Sequence, residues 1–362
     1  MFKFNLQFTE NKKVTYAYIG CRTTEKRNAR GKGISCYTID ERGVWKLKNI
    51  TKTMDNPSYL AFDRTEQFLY TVHGDFHEVS AFRIEENGNL TFLQTLHGIG
   101  QNPVHLVPSL DNRFLFVASL QGGCVASLPR REDGTLGDPV WVEHLEGCVE
   151  GGVSHAHQCL LDHTGNFLLV PTQGRKVGYE RVWVLKVDQA TGKLSRASWV
   201  EARTYAEPRH IALTEDNKRA YLVNEKGNAV TFYDFDDAAG VLTPRQIKTT
   251  LPDTYTGQGQ ASAVLVYPEG PFVYASNRIH ESLASYRVDE ATGYLHPTGF
   301  VSCQGLTPRF MTFSPDNRQL VVANEDSDTL KFFAIDPDTG LLDYTGVTVP
   351  TESPTCVIFC SR

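Results

Sequence analysis

With 362 residues, 41% of them hydrophobic and 22% charged, the chain has the apolar content of a folded globular protein, which excludes a long disordered tract. A formal net charge of −6 excludes a broad attraction for nucleic acid or an anionic membrane, because both need clustered Lys and Arg. No run of about 18 apolar residues occurs, and the opening MFKFNLQFTENKK has no apolar run of signal-peptide length, so a cytoplasmic location is expected.

In chain order, the first element is the strand TYAYIG (15–20). The turn ERGVW at Gly43 follows it. That turn then recurs as ENGNL at Gly88, EDGTL at Gly134, ATGKL at Gly192, AAGVL at Gly240, ATGYL at Gly293 and DTGLL at Gly340. The spacings are 45, 46, 58, 48, 53 and 47 residues. A Gly able to take φ > 0 between alternating apolar segments reads as a β-hairpin turn. Between these hairpins lies a second pattern: an entry strand, a polar turn and a second strand, as in PSYLAFDRTEQFLYTVH from Pro57 and PRFMTFSPDNRQLVVANE from Pro308. The last element, TCVIFC (355–360) after Pro354, reads as an entry strand without a partner of its own.

Each period thus contains four short antiparallel strands, the unit of a propeller blade. Pairing the two terminal strands in one shared blade closes the ring and removes open sheet edges. The expectation is an all-β, seven-bladed β-propeller over residues 1–362 as a single domain, since no blade buries both of its faces alone. A two-sheet sandwich has too few strands for this pattern. The eight cysteines are dispersed, with no C-x-x-C pair, and read as buried thiols rather than disulfides.

Antiparallel strands bring the start of each entry strand and the end of each second strand to one rim of the central channel. Entry-strand starts carry His105, His155, His157, Arg209, His210 and Arg309. Second-strand ends carry His73, Gln173, Asn224, Glu225, Asn277, Arg278, Asn324 and Glu325. His155 and His157, two residues apart, are expected on one strand face. A metal site wants three or four ligands, and no further carboxylate or Cys ligand is indicated by spacing, so no metal is expected. The acidic runs DFDD and EDSD lack calcium-loop spacing. No phosphate-binding glycine loop or G-x-S-x-G elbow is present, and no cofactor is expected.

Over nearly its whole length the chain resembles the seven-bladed propeller lactonase family, which contains bacterial 6-phosphogluconolactonases and the fungal 3-carboxymuconate lactonising enzyme. The residues that carry the resemblance are SHAHQ (154–158), EPRHIAL with VNE ending at Glu225, YASNRIHESLASYRVD (274–289), and TPRFMTFSPDN followed by VVANEDSDTLKFFAID. The resemblance implies a cleft lined by the catalytic candidates His157, Arg209, Glu225 and Arg278. His155 and Arg181 match neighbouring polar positions; with His210, Asn277 and Arg309 they form the expected substrate-binding set. Two positions depart from the family pattern: Ala263 stands where an acidic residue is common, and Arg22 where small hydroxyl residues are usual.

Three functions are compatible with this reading. The first is metal-independent hydrolysis of a sugar-acid or related anionic lactone, with His157 or Glu225 as base and the arginines stabilising negative charge. The second is lactone formation from a carboxymuconate-type substrate, favoured by the missing acid at Ala263. The third is a non-catalytic binding scaffold. Expected partners are a small anionic lactone or carboxylate, without nucleic acid or membrane, for a monomer or weak dimer.

Overall fold

The structure is a computed structural model that describes residues 14–362. The opening segment, read above as lacking a leader, lies outside the described residues. Seven antiparallel sheets form seven blades of a propeller. Blade 1 joins Thr15–Cys21, Ile34–Ile39 and Trp45–Thr51 to the C-terminal strand Pro354–Ser361. This shared blade closes the ring: Thr15 lies opposite Ser361 and Gly20 opposite Cys356, as the pattern of the chain ends led us to expect. The entry strands of blades 2, 3, 5, 6 and 7 are Pro57–Phe62, Pro103–Pro108, Pro208–Leu213, Gln260–Val266 and Pro308–Phe313. In blade 4 the entry strand is broken into His155–Ala156 and Leu160–Leu161. Among the described residues no helix is long and apolar enough to cross a membrane.

The core is divided among the gaps between blades. Blades 5 and 6 pack through Tyr221, Val223, Phe232, Val273 and Tyr286, and blades 7 and 1 through Val321, Phe332, Ala17 and Ile19. Buried apolar layers of this kind occupy every gap round the ring. Each large side chain buried there contributes roughly 1.5–3 kcal/mol, and each gap needs both of its blades.

The repeated turn glycines do more than turn. A Cβ on Gly293 of blade 6 would run into the Phe232 ring of blade 5, and one on Gly134 of blade 3 into Phe68 of blade 2. The carbonyl oxygens of these turns accept hydrogen bonds from tyrosines one blade back: Tyr221 Oη to Gly293 O at 2.9 Å and Tyr18 Oη to Gly88 O at 2.7 Å. The turn is therefore a latch between neighbours.

A second repeated device sets the channel mouth. In blade 5, Pro208 lies opposite Asn224 but His210 lies opposite Val223, so Arg209 is an unpaired extra residue. The same one-residue slip leaves Ser58, Val104, Arg309 and Thr355 unpaired in blades 2, 3, 7 and 1. A bulge bends its strand and re-aims the extra side chain. In blade 4 the slip falls between Ala156 and Leu160 and includes His157; in blade 6 it falls between Ala261 and Val264.

Candidate active site

The bulges converge on a cavity of about 220 Å3, lined by Ser58, Val104, His157, Arg209, Arg309 and Thr355. Second-strand ends supply its other wall. There an asparagine at the strand's end turns inward to tie the hairpin, and the residue after it faces the mouth. Asn224 donates to Thr231 Oγ1 at 2.9 Å while Glu225 lines the cavity. Asn277 donates to the Thr250 carbonyl at 2.6 Å and to Ser282 Oγ at 3.1 Å while Arg278 lines it.

Glu225 is the hub. Its Oε2 lies 3.3 Å from Arg209 Nε, 3.1 Å from Arg278 Nη2, and accepts a hydrogen bond from Gln173 Nε2 at 3.1 Å. Burial opposes its ionisation, but the charges of Arg278 and Arg209 and the Gln173 bond prevail and hold the carboxyl at about 2. It stays an anion at every physiological pH. Arg209 and Arg278 are 3% and 8% exposed, and burial pulls both guanidiniums below their ordinary range. Arg209 Nη1 also donates to the Ser262 carbonyl and stands 3.4 Å from each ring nitrogen of His210. Arg309 pairs with Glu325 at 3.0 Å.

His157 and His210 face each other with ring centroids 5.2 Å apart. Burial, then the charge of Arg209, pushes both imidazoles well below the usual histidine range, so both are neutral. His157 reaches the cavity because its strand breaks after Ala156; its N–H donates to the carbonyl of Pro171 at 3.0 Å. The buried Nδ1 of His157 has no hydrogen-bond partner among the described residues.

His157, Arg209, Glu225, Arg278, His210 and Arg309 are thus brought together. Three expected substrate contacts are not. His155 is paired across the ladder with Gln173, its Nδ1 3.2 Å from that residue's carbonyl oxygen, because the strand ends before the histidine spacing of two can repeat. Arg181 lies on the outer side of blade 4, stacked over Tyr179 at 3.6 Å and bonded to Glu201 at 2.6 Å. Asn277 is consumed by the hairpin tie described above. Ala263 also needs correcting: the blade 6 bulge turns it into the apolar layer with Tyr267, Phe272 and Met311, not towards the mouth. An acid missing at that position therefore removes no charge from the cavity.

Three further arginines line the cavity: Arg22, Arg27 and Arg175. Arg22 follows the last residue of a second strand, Thr15–Cys21, as Glu225 follows Asn224, so including the closing blade in the rim positions finds it. Arg27 ends a single 3-10 turn, Glu25–Arg27, and Arg175 sits in a loop between strands, and no sequence signal marked them. Arg175 donates to Gln173 Oε1 from Nε at 3.0 Å and from Nη2 at 2.8 Å. Among the described residues six guanidiniums line the cavity, and the carboxylates paired with them are three: Asp75, Glu225 and Glu325. A chain of net charge −6 thus carries a cationic mouth. Among the described residues no three His, Cys, Asp or Glu side chains converge as a metal-ligand set.

A propeller whose channel mouth gathers arginines, a carboxylate shared between two of them and neutral histidines has the makings of an enzyme for small anions. Residues 16–359 match the model of the lactonase family described as "Lactonase, 7-bladed beta-propeller", and the chain belongs to this family of lactone hydrolases. A 6-phosphogluconolactonase of Bacillus subtilis is 31% identical over 94% of this chain and 98% of its own length. One of Pectobacterium carotovorum is 31% identical over 82% of this chain and 88% of its own. The solved structure of a periplasmic gluconolactonase of Pseudomonas aeruginosa superimposes with a TM-score of 0.85 at 28% identity, covering 96% of this chain and 99% of that one. Lactone formation finds no support among these relatives.

Proposed function

We propose that the chain hydrolyses an anionic sugar-acid lactone, with 6-phosphogluconolactone as the first substrate to try, at the arginine-lined channel mouth. The observation that carries this reading is the shared ion pair of Arg209 and Arg278 with Glu225 beside neutral His157. In the reaction, water attacks the lactone carbonyl carbon and yields its proton to His157. Arg209 and Arg278 hold the oxygen that becomes negative. The ring C–O bond then breaks, and the proton passes from His157 to the departing ring oxygen, leaving a hydroxy acid. Glu225, ion-paired with both guanidiniums, orients the two arginines. His210 and Arg309 contact the substrate.

Names of two relatives, 6-phosphogluconolactonase and gluconolactonase, support a six-carbon sugar-acid lactone, and a cavity of about 220 Å3 suits so small a molecule. The same reading takes residues 1–362 as one domain, a monomer or weak dimer without nucleic-acid or membrane partners. It assigns the enzyme to the cytoplasm, in keeping with eight free cysteines, seven of them buried. Initial rates over a panel of sugar-acid lactones, followed by base uptake at constant pH, test the function. Turnover well above the spontaneous rate for an anionic member is expected; spontaneous rates throughout would refute it.

A further inference from the structure

The arginines at the mouth are not clustered at one point but follow consecutive blades: Arg209 in blade 5, Arg278 in blade 6, Arg309 in blade 7 and Arg22 in blade 1. His157, in blade 4, stands at one end of this arc and Arg22 at the other. By position in the repeat, Arg22 is the equivalent of Glu225, the residue just beyond a second strand, and of Arg278, the last residue of its own; all three line the channel mouth.

Its surroundings are built round it. Arg22 is 4% exposed, yet among the described residues its guanidinium makes one side-chain contact, Nη1 to Asp75 Oδ2 at a long 3.3 Å. Asp75 is held more closely by Arg27, whose Nε donates to it at 2.7 Å. Space for the guanidinium comes from Gly74, where a Cβ would overlap Arg22 Nη1. Ser58, Asn102 and Gln121 line the adjoining wall with neutral polar groups. A buried cation whose hydrogen-bonded carboxylate is shared with Arg27, and whose next carboxylate, Glu325, is paired with Arg309, is short of negative charge, and an anionic ligand group supplies it.

We propose that Arg22, flanked by Arg309 and backed by the Arg27–Asp75 pair, is the subsite for the terminal phosphate of a phosphorylated sugar-acid lactone, at the end of the arginine arc remote from His157. This rests on the lactonase reading above and adds to it a selectivity: the enzyme prefers the phosphorylated lactone to its unphosphorylated counterpart. The reacting ester lies at Arg209, Arg278 and His157, while the phosphate fixes the far end of the molecule, so the contact acts in binding more than in the bond-breaking step.

The test compares kcat/KM for 6-phosphogluconolactone and for unphosphorylated gluconolactone in the wild type, Arg22→Gln and Gly74→Ala. The second variant keeps the charge and displaces the guanidinium, so it guards against a folding defect in the first. The wild type should favour the phosphorylated lactone, and both variants should lower that ratio by about 10- to 100-fold, mainly through KM. An unchanged ratio in both variants would overturn the proposal, as would equal loss on the two lactones. A third lactone with a terminal carboxylate separates the anions: if it matches the phosphorylated one in the wild type and suffers equally, the phosphate assignment fails. Turnover of no lactone by the wild type would instead sink the lactonase reading itself.

Discussion

At the residue scale, Glu225 joins two roles that the sequence leaves as alternatives. It is a structural counter-ion, because two buried guanidiniums depend on it, and it lines the cavity. Glu225→Gln keeps the shape but leaves Arg209 and Arg278 unpaired, so it should lower both stability, by about 3 kcal/mol, and kcat. Denaturant unfolding together with steady-state rates measures the two effects; loss of one alone would separate the roles. The buried histidines make a pH prediction. His105, His157 and His210 are neutral in the fold because burial depresses them, His105 to about 3. When unfolded, each takes up a proton as the pH falls below about 6.5. The unfolded state then binds more protons, so stability is full above about pH 7 and falls as the solution is acidified, by about 1.4 kcal/mol per pH unit for each histidine. Unfolding free energies at pH 7.5, 6.0 and 5.0 should show this slope, and His105→Gln should flatten it; equal stability at the three values would contradict it.

At the scale of elements, the hairpin glycines differ in what they meet. Gly293 has φ 80° and the Phe232 ring against it, whereas Gly43 has φ 77° and open space. Gly43→Ala should therefore cost about 1 kcal/mol, the strain of a left-handed backbone alone. Gly293→Ala should cost roughly 1–3 kcal/mol more, because the ring must move. Thermal melts of the two variants check the order, and equal losses would deny the latch. These glycines also mark how far the sequence could be read. Their spacing announced the blade count, and the patterns of the two chain ends the closing strand pair. The polar rim was legible too, since strand ends gather at one mouth, while the resemblance to the lactonase family singled out His157, Arg209, Glu225 and Arg278 from it. What was not legible was which rim residue faces inward. That choice depends on one-residue bulges after Pro208 and Pro308, and on hairpin ties such as Asn277 to Ser282, which turn alternate residues away. His155 and Ala263 lie away from the mouth for this reason: strand spacing without the bulge register cannot tell the mouth from the core.

At the scale of the whole molecule, the ring is closed by the pairing of Pro354–Ser361 with Thr15–Cys21, and apolar layers occupy each gap. If residues 1–362 act as one domain, unfolding is a single transition, and deletion of residues 354–362 abolishes it rather than trimming it. Calorimetry of both chains checks this, with two separate transitions in the intact chain counting against it. The donor set at the mouth also has a consequence: among the described residues no three His, Cys, Asp or Glu side chains converge as metal ligands, so activity should survive EDTA, and its loss with recovery on added zinc would reverse that reading.

The central claim is that the arginine arc hydrolyses an anionic lactone, and Arg209 tests it most directly. Glu225 retains Arg278 when Arg209 is removed, and Arg209 is itself crowded by Arg278 and Arg309, so Arg209→Ala should fold with a melting temperature near that of the wild type. The measurement is kcat/KM for 6-phosphogluconolactone in the wild type and Arg209→Ala, corrected for spontaneous opening. A fall of roughly 100-fold or more in the folded variant is predicted, as for loss of a donor to a developing oxyanion. A folded Arg209→Ala enzyme with wild-type kcat/KM would contradict the account.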